Sequence, residues 1–160
     1  MKRLLIPHLG LALLPVLSAL PVLAVPFTLP ASSQDAAEAI PVQVEEFRLP
    51  DHTGRERALS DYRQNKQVVL FFMGVDCPLA NLYLGELDRL AEEHAGVQVI
   101  GIHSNDGLTR KEIAGHVSEY RVRFPVLHDA DAALAVRLGA TRTAEVVLLD
   151  EERVVRYQGR

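Results

Sequence analysis

From Gln67 to Met73 the chain reads QVVLFFM, an unbroken apolar run rich in β-branched and aromatic residues. Such a run predicts a strand covered on both faces, since a strand with one wet face would alternate. Val97 to His103 has the same character and predicts a second buried strand. Between them the hydrophobic period lengthens. Tyr83, Leu87, Leu90, Ala91 and His94 fall on one face of a helix that begins at Pro78 and stops at Gly96. Ile113, His116, Val117 and Tyr120 repeat at i, i+3, i+4 and i+7 and predict a second amphipathic helix.

Shorter elements fill the flanks. Phe47 to Leu49 predicts a strand, closed by the turn-prone Asp51-His52-Thr53-Gly54, and Leu59 to Tyr62 a capped helical turn. Phe124 to Leu127 predicts another short strand. After it comes a short helix carrying Leu134 and Leu138, with Asp129 and Asp131 as caps and Gly139 as its stop. Val146 to Leu149 and Arg153 to Tyr157 form a hairpin about Asp150-Glu151-Glu152. Strands separated by helices define an α/β fold, a central sheet flanked by helices. Outer strands are normally covered, and the sequence stops at Arg160 directly after the hairpin. The expectation is therefore an α/β domain without its C-terminal helix, or a fragment of a longer chain.

The N-terminus is of another kind. Lys2 and Arg3 precede a run from Leu4 to Val25 without a charged residue, and Val22-Leu23-Ala24 offers a signal-peptidase site. Residues 1–24 read as a secretory signal; a retained membrane anchor is the alternative, which Pro7, Pro15 and Pro21 disfavour. Residues 25–42 read as a linker and residues 43–160 as the folded domain. The protein is thus expected to be exported, to the periplasm or cell envelope.

Composition narrows the chemistry. The 17 Lys and Arg residues against 21 Asp and Glu give a net charge of −4, which argues against a nucleic-acid partner. Hydrophobic residues at 48% and charged residues at 24% describe a globular chain, not a disordered one. No dinucleotide, phosphate-loop, zinc-protease or serine-hydrolase motif is present, so no cofactor is expected. The acidic clusters Glu92-Glu93 and Asp150-Glu151-Glu152 are best read as solvated surface. With one cysteine, the chain can form no internal disulfide and no all-cysteine zinc site.

That cysteine, Cys77, follows the central strand by the turn Gly74-Val75-Asp76 and opens the next helix, with Pro78 at its first position. Reactive groups of α/β sheets gather beyond the carboxyl ends of the strands. A helix N-terminus also stabilises a thiolate. Asp76 works in the opposite direction, because an adjacent carboxylate raises a thiol pKa. The plainer alternative is a small buried hydrophobe.

The segments VVLFFM, GVDCPLANLYLGEL, VIGIHSND, RFPVLHD, ALAVRLGATRTAEVVLLD and RVVRYQGR follow one another in this order. Together they resemble a bacterial redoxin domain, the alkyl hydroperoxide reductase/thiol-specific antioxidant (peroxiredoxin-like) branch of the thioredoxin superfamily. The resemblance implies a thioredoxin-like fold over residues 43 to 160. It also implies thiol-dependent oxidoreductase activity on a peroxide or disulfide, with Cys77 as nucleophile and Pro78, His103, Arg142 and Thr143 in support. The family's usual companions are replaced. Ala80 stands where thioredoxins carry the second cysteine, and Gly74 where peroxiredoxins carry a threonine. Ala144 stands where the cis-proline of thioredoxins falls, and Arg142 lies two residues from the place of the peroxiredoxin arginine.

A lone thiol needs a partner. Once oxidised to a sulfenic acid or a mixed disulfide, it is restored only by an external thiol reductant or a partner protein's thiol. Two other readings stand beside catalysis. One is a non-catalytic redoxin-fold binding module of a larger envelope protein. The other is a copper-binding redoxin-like protein using Cys77, Met73 and His103, since soft sulfur and imidazole suit copper. Otherwise His103 is expected as a partly exposed residue at a strand end, His128 as solvated, and His52 as a turn residue. His94 and His116 are expected at the core edge, and Tyr83 and Tyr120 in core packing.

Overall fold

A strand apolar from its second residue to its last belongs in the middle of a sheet, and Gln67–Met73 (β3), exposed only at Gln67, sits there. The computed structural model describes residues 42–160, so the signal-or-anchor segment and all but the last residue of the linker lie outside the described residues. Two short strands, Arg48–Pro50 (β1) and Glu56–Ala58 (β2), pair antiparallel ahead of a 3₁₀ turn at Leu59–Tyr62. After β3 come helix Pro78–Glu93 (α1), strand Val97–His103 (β4), helix Arg110–Glu119 (α2) and strand Val126–His128 (β5). Helix Ala133–Leu138 (α3) and strands Glu145–Leu149 (β6) and Val155–Gly159 (β7) complete the fold. The five-stranded sheet has the order β5-β4-β3-β6-β7. β3, β4 and β5 run parallel, and β6 and β7 antiparallel to their neighbours.

Alternation along the central strands divides their side chains between two cores. Val68, Leu70, Phe72, Ile100, Ile102 and Leu127 pack with Leu134 and Leu138 of α3 and with Phe47 and Tyr62. Val69, Phe71, Met73, Val99 and Val126 pack on the other face with Ala80 and Leu84 of α1 and Ile113 and Val117 of α2. Each large aliphatic or aromatic side chain fully buried in this way contributes about 1.5–3 kcal/mol. Gly101 leaves room on that second face: a Cβ there would lie 2.5 Å from Met73 Sδ and 3.2 Å from the Phe124 ring, so these side chains would have to shift.

α1 differs from the expected stripe. Its buried positions are Ala80, Leu84 and Asp88, with Leu87, Leu90 and Ala91 packed alongside, while Tyr83 and His94 are exposed. The helix is rotated so that the small Ala80 meets the sheet, and the larger Tyr83 ring stays outside. Tyr120, which follows α2, is also exposed, because the helix ends before it. On the α1 side of the hairpin, Val69, Leu87, Leu90, Val146, Leu148 and Tyr157 line an apolar groove of about 380 Å³.

Both cap assignments hold at α3. Asp131 Oδ1 accepts from the Ala133 N–H at 3.2 Å. Asp129, fully buried, accepts from the Leu134 and Ala135 N–H groups at 3.1 and 3.0 Å and from the Ser104 hydroxyl at 2.7 Å. Three donors therefore depend on one carboxylate. Asp129→Ala is expected to destabilise the domain by about 3 kcal/mol, because buried donors left unpaired cost more than a bond contributes. Urea unfolding of the two proteins checks this, and a loss below about 1 kcal/mol would contradict it.

Candidate active site

The C-terminal edge of β3 and β4 is where the chemistry-bearing residues meet. β3 ends at Met73, the turn Gly74-Val75-Asp76 follows, and Cys77 is the N-cap of α1 with φ −92° and ψ 104°. Its own N–H donates to Gly74 O at 3.2 Å, which closes the turn. Pro78 occupies the first helical position, where its missing N–H costs nothing. Cys77 Sγ then plays the part an N-cap oxygen usually plays, accepting from the Ala80 N–H at 3.5 Å. Ala80 itself is fully buried against the sheet. The position of a resolving cysteine thus supplies packing and a backbone donor to the sulfur.

A second segment approaches from the side. β6 pairs with β3 so that Glu145 lies opposite Phe72, and the Ala144 N–H donates to Phe72 O at 2.7 Å. Ala144 is left-handed at φ 61°, a conformation costly for a residue with a Cβ. This bend places Thr143 over the turn. Its hydroxyl donates to Cys77 Sγ at 3.0 Å, and a Cβ on Gly74 would come within 3.0 Å of Thr143 Cγ2. The glycine therefore gives Thr143 room. Donation by Thr143 is the largest cause of a thiol pKa below its ordinary value; the Ala80 and Leu79 N–H groups and the charge of Arg160 act in the same direction. Asp76, expected to oppose the thiolate, is exposed and is not among the groups that shift the thiol.

Arg142 is exposed and makes no hydrogen bond to Cys77 among the described residues; it lines the mouth of a cavity of about 230 Å³. Phe72, Met73 and Ile102 form the apolar floor, and Ser104, Asn105 and Thr143 a polar wall. Thr143 belongs both to this cavity and to the sulfur's shell of donors. A ligand seated there would lie against the group that touches the thiol.

The histidines depart furthest from expectation. His103 is not partly exposed but fully buried, and neither ring nitrogen has a hydrogen-bond partner among the described residues. It lies in register between Met73 and His128, so the sheet itself encloses it. Burial pushes its pKa down to about 4, with His116 and His128 acting in the same direction. His116 is buried too, and its ring stands edge-on to His103 with centroids 5.4 Å apart. His128 is half-buried rather than solvated. Among the described residues, no three His, Cys, Asp or Glu side chains are grouped to hold a metal ion.

Sequence reasoning missed Asn81. From the first turn of α1 its amide nitrogen donates to Val75 O at 3.2 Å and to Tyr120 Oη at 3.0 Å, and its oxygen faces His116 Nε2 at 2.9 Å. No periodic signal marks such a residue, since its partners are a backbone carbonyl, a side chain of α2 and the tyrosine that follows α2.

A thioredoxin-like sheet with a donor-surrounded thiol capping the helix after its central strand defines a redoxin. The AhpC/TSA family description matches residues 40–158, and the chain belongs to that family. Among solved structures, a hypothetical protein of Sinorhizobium meliloti is 29% identical, with 76% of this chain and 70% of that chain covered and a TM-score of 0.71. Peroxidoxin BcpB of Mycobacterium tuberculosis is 26% identical over 74% of this chain and 83% of its own, with a TM-score of 0.66. A secreted disulfide oxidoreductase of M. tuberculosis shares the fold at 23% identity, covering 68% of this chain and 79% of its own, with a TM-score of 0.60. No curated protein sequence matches the chain.

Proposed function

We propose that the protein is an exported thiol-dependent oxidoreductase in which Cys77 is the nucleophile and an outside thiol closes the cycle. The observation that carries this reading is the environment of Sγ: a hydroxyl donor at 3.0 Å and a helix N-terminal N–H at 3.5 Å, both favouring thiolate. Family membership and the peroxidoxin relative support a hydroperoxide as oxidant. In that step the thiolate attacks the peroxide, the O–O bond breaks, and the sulfur keeps one oxygen as sulfenic acid while the alkoxide or hydroxide leaves and takes up the proton the thiol gave to solvent on ionising. A first external thiol then forms a mixed disulfide and releases water. A second thiol attacks that disulfide, and Cys77 returns to thiol as the outside pair leaves as a disulfide. Export is supported by the signal pattern of residues 1–24 and by the secreted relative.

Mass spectrometry of the protein after brief peroxide exposure tests the reading. The expected result is one oxygen on Cys77, trapped by a sulfenate-specific reagent and removed by added thiol. A Cys77 that stays reduced under peroxide and inert to disulfides would overturn it. That outcome would favour the second reading, a redoxin-fold docking module. The replacements Ala80, Gly74 and Ala144 support this alternative, as do Leu79, Leu82 and Tyr83, exposed on α1 beside the thiol.

A further inference from the structure

Only one side chain among the described residues is hydrogen-bonded to the backbone of the turn that carries Cys77, and it is tied to a buried imidazole. We propose that Asn81 and His116 are positioning residues for the Cys77 thiol, which with Tyr120 bolt the Gly74–Asp76 turn to α2. The proposal rests on Cys77 being the reacting group.

The donors around Sγ come from the first turn of α1 and the bend before β6. The turn Gly74–Asp76 joins β3 to α1 and carries Cys77. Two hydrogen bonds hold it, Cys77 N–H to Gly74 O and Asn81 Nδ2 to Val75 O, each 3.2 Å long. Cys77 is also tied to α1, its carbonyl accepting from the Asn81 N–H at 3.0 Å; without the Val75 bond the turn that leads into it keeps one local bond, and Sγ is set less tightly against Thr143. The atoms also assign themselves. Val75 O can only accept, so the Asn81 nitrogen faces it, and Asn81 Oδ1 then faces His116 Nε2, which must carry the hydrogen. Tyr120 receives the second amide hydrogen and lies against the His116 ring, with centroids 4.8 Å apart.

His116 Nδ1 is left as a buried lone pair with no partner, on a ring packed edge-on against His103. The charged groups acting on His116 are Asp76 from the turn and Glu119 from its own helix; both favour its protonation, and burial opposes it more strongly. The neutral and protonated rings both keep Nε2–H, so the bolt survives acidification while its charge changes. A glutamine at position 116 can donate to Asn81 but cannot titrate; a leucine can do neither.

The rate of Cys77 alkylation by iodoacetamide, followed from pH 5 to 10 with thermal midpoints recorded in parallel, tests the proposal. Asn81 is half-buried on the first turn of a helix, where alanine is well tolerated. Asn81→Ala is therefore expected to fold and to alkylate about three- to tenfold more slowly at pH 7, with its thiol titrating at higher pH. His116→Leu is expected to do the same, and His116→Gln to restore the rate to within about twofold while flattening any inflection below pH 7. An Asn81→Ala profile that superimposes on the wild type overturns the proposal, as does a folded His116→Gln that behaves like His116→Leu. If His116→Leu does not fold, Asn81→Ala decides alone. Alkylation requires no turnover, so a failure here is distinct from a failure of the catalytic reading, which Cys77→Ser reports.

Discussion

Cys77→Ser is expected to lower peroxide and disulfide turnover by roughly 100-fold or more, to the rate without protein, while leaving the fold intact. Serine keeps the size and the N-cap geometry; its oxygen accepts from the same N–H groups and caps helices well. It cannot, however, be carried to a sulfenic acid or form a mixed disulfide. Because the chain holds no other cysteine, nothing in the same molecule can substitute. The effect should be graded around this position. Thr143→Val retains the methyl that packs on Gly74 and removes the hydroxyl that donates to Sγ. A thiol without that donor is less often ionised, and the variant is expected to react about fivefold more slowly at pH 7. Raising the pH should recover most of the difference. Stopped-flow peroxide consumption with excess dithiothreitol measures both, and equal turnover for wild type and Cys77→Ser would remove Cys77 from the mechanism.

The second large effect is on stability. His103 is neutral in the fold down to about pH 4, against 6.5 for an ordinary histidine. Between those values the unfolded chain takes up a proton that the folded chain refuses. Stability is therefore complete above pH 6.5 and is lost as the pH falls toward 4, by up to about 3 kcal/mol from this residue. His116, whose pKa burial also lowers, adds in the same direction. Asp51 acts in a separate, lower window. Burial opposes its ionisation, but hydrogen bonds from Thr53, Arg57 and Arg55 outweigh it and hold the pKa at about 2, so its contribution is lost only below about pH 4. His103→Met keeps the volume and brings no nitrogens to desolvate. Urea midpoints at pH 7.5 and 4.5 should show a steep acid loss in the wild type and a much smaller one in the variant. The same loss in both would mean that His103 does not set the acid limit.

The legible parts of the fold are those where burial is continuous. QVVLFFM and VQVIGIH lie on two-sided central strands, and their apolar runs say so directly. β2 was not legible, because Glu56-Arg57-Ala58 has no apolar pattern and forms only by pairing with β1. On α1, Leu87, Leu90 and Ala91 pack as their spacing predicts, while Tyr83 and His94 do not. Tyr83 and Leu84 are both apolar, and only the space available against the sheet selects Leu84. His103 misleads for a related reason: a polar residue at the end of a strand suggests solvent, but β5 and α2 close over it.

The site divides in the same way. Cys77 at a strand-to-helix corner followed by proline is a local pattern, set by helix capping and by the dipole of the following turn, and it could be read from neighbours in the chain. Thr143 lies 66 residues away from Cys77, and Asn81 meets His116 across 35. Those contacts exist because antiparallel pairing of β6 on β3 and the packing of α2 beside α1 bring the segments together. The strands of the sheet, the thiol and its solitude are written locally, since period, composition and capping act over a few residues. Beyond the local Ala80 N–H, the groups around the sulfur and its turn are set by folding, because register and helix packing between distant segments fix their positions.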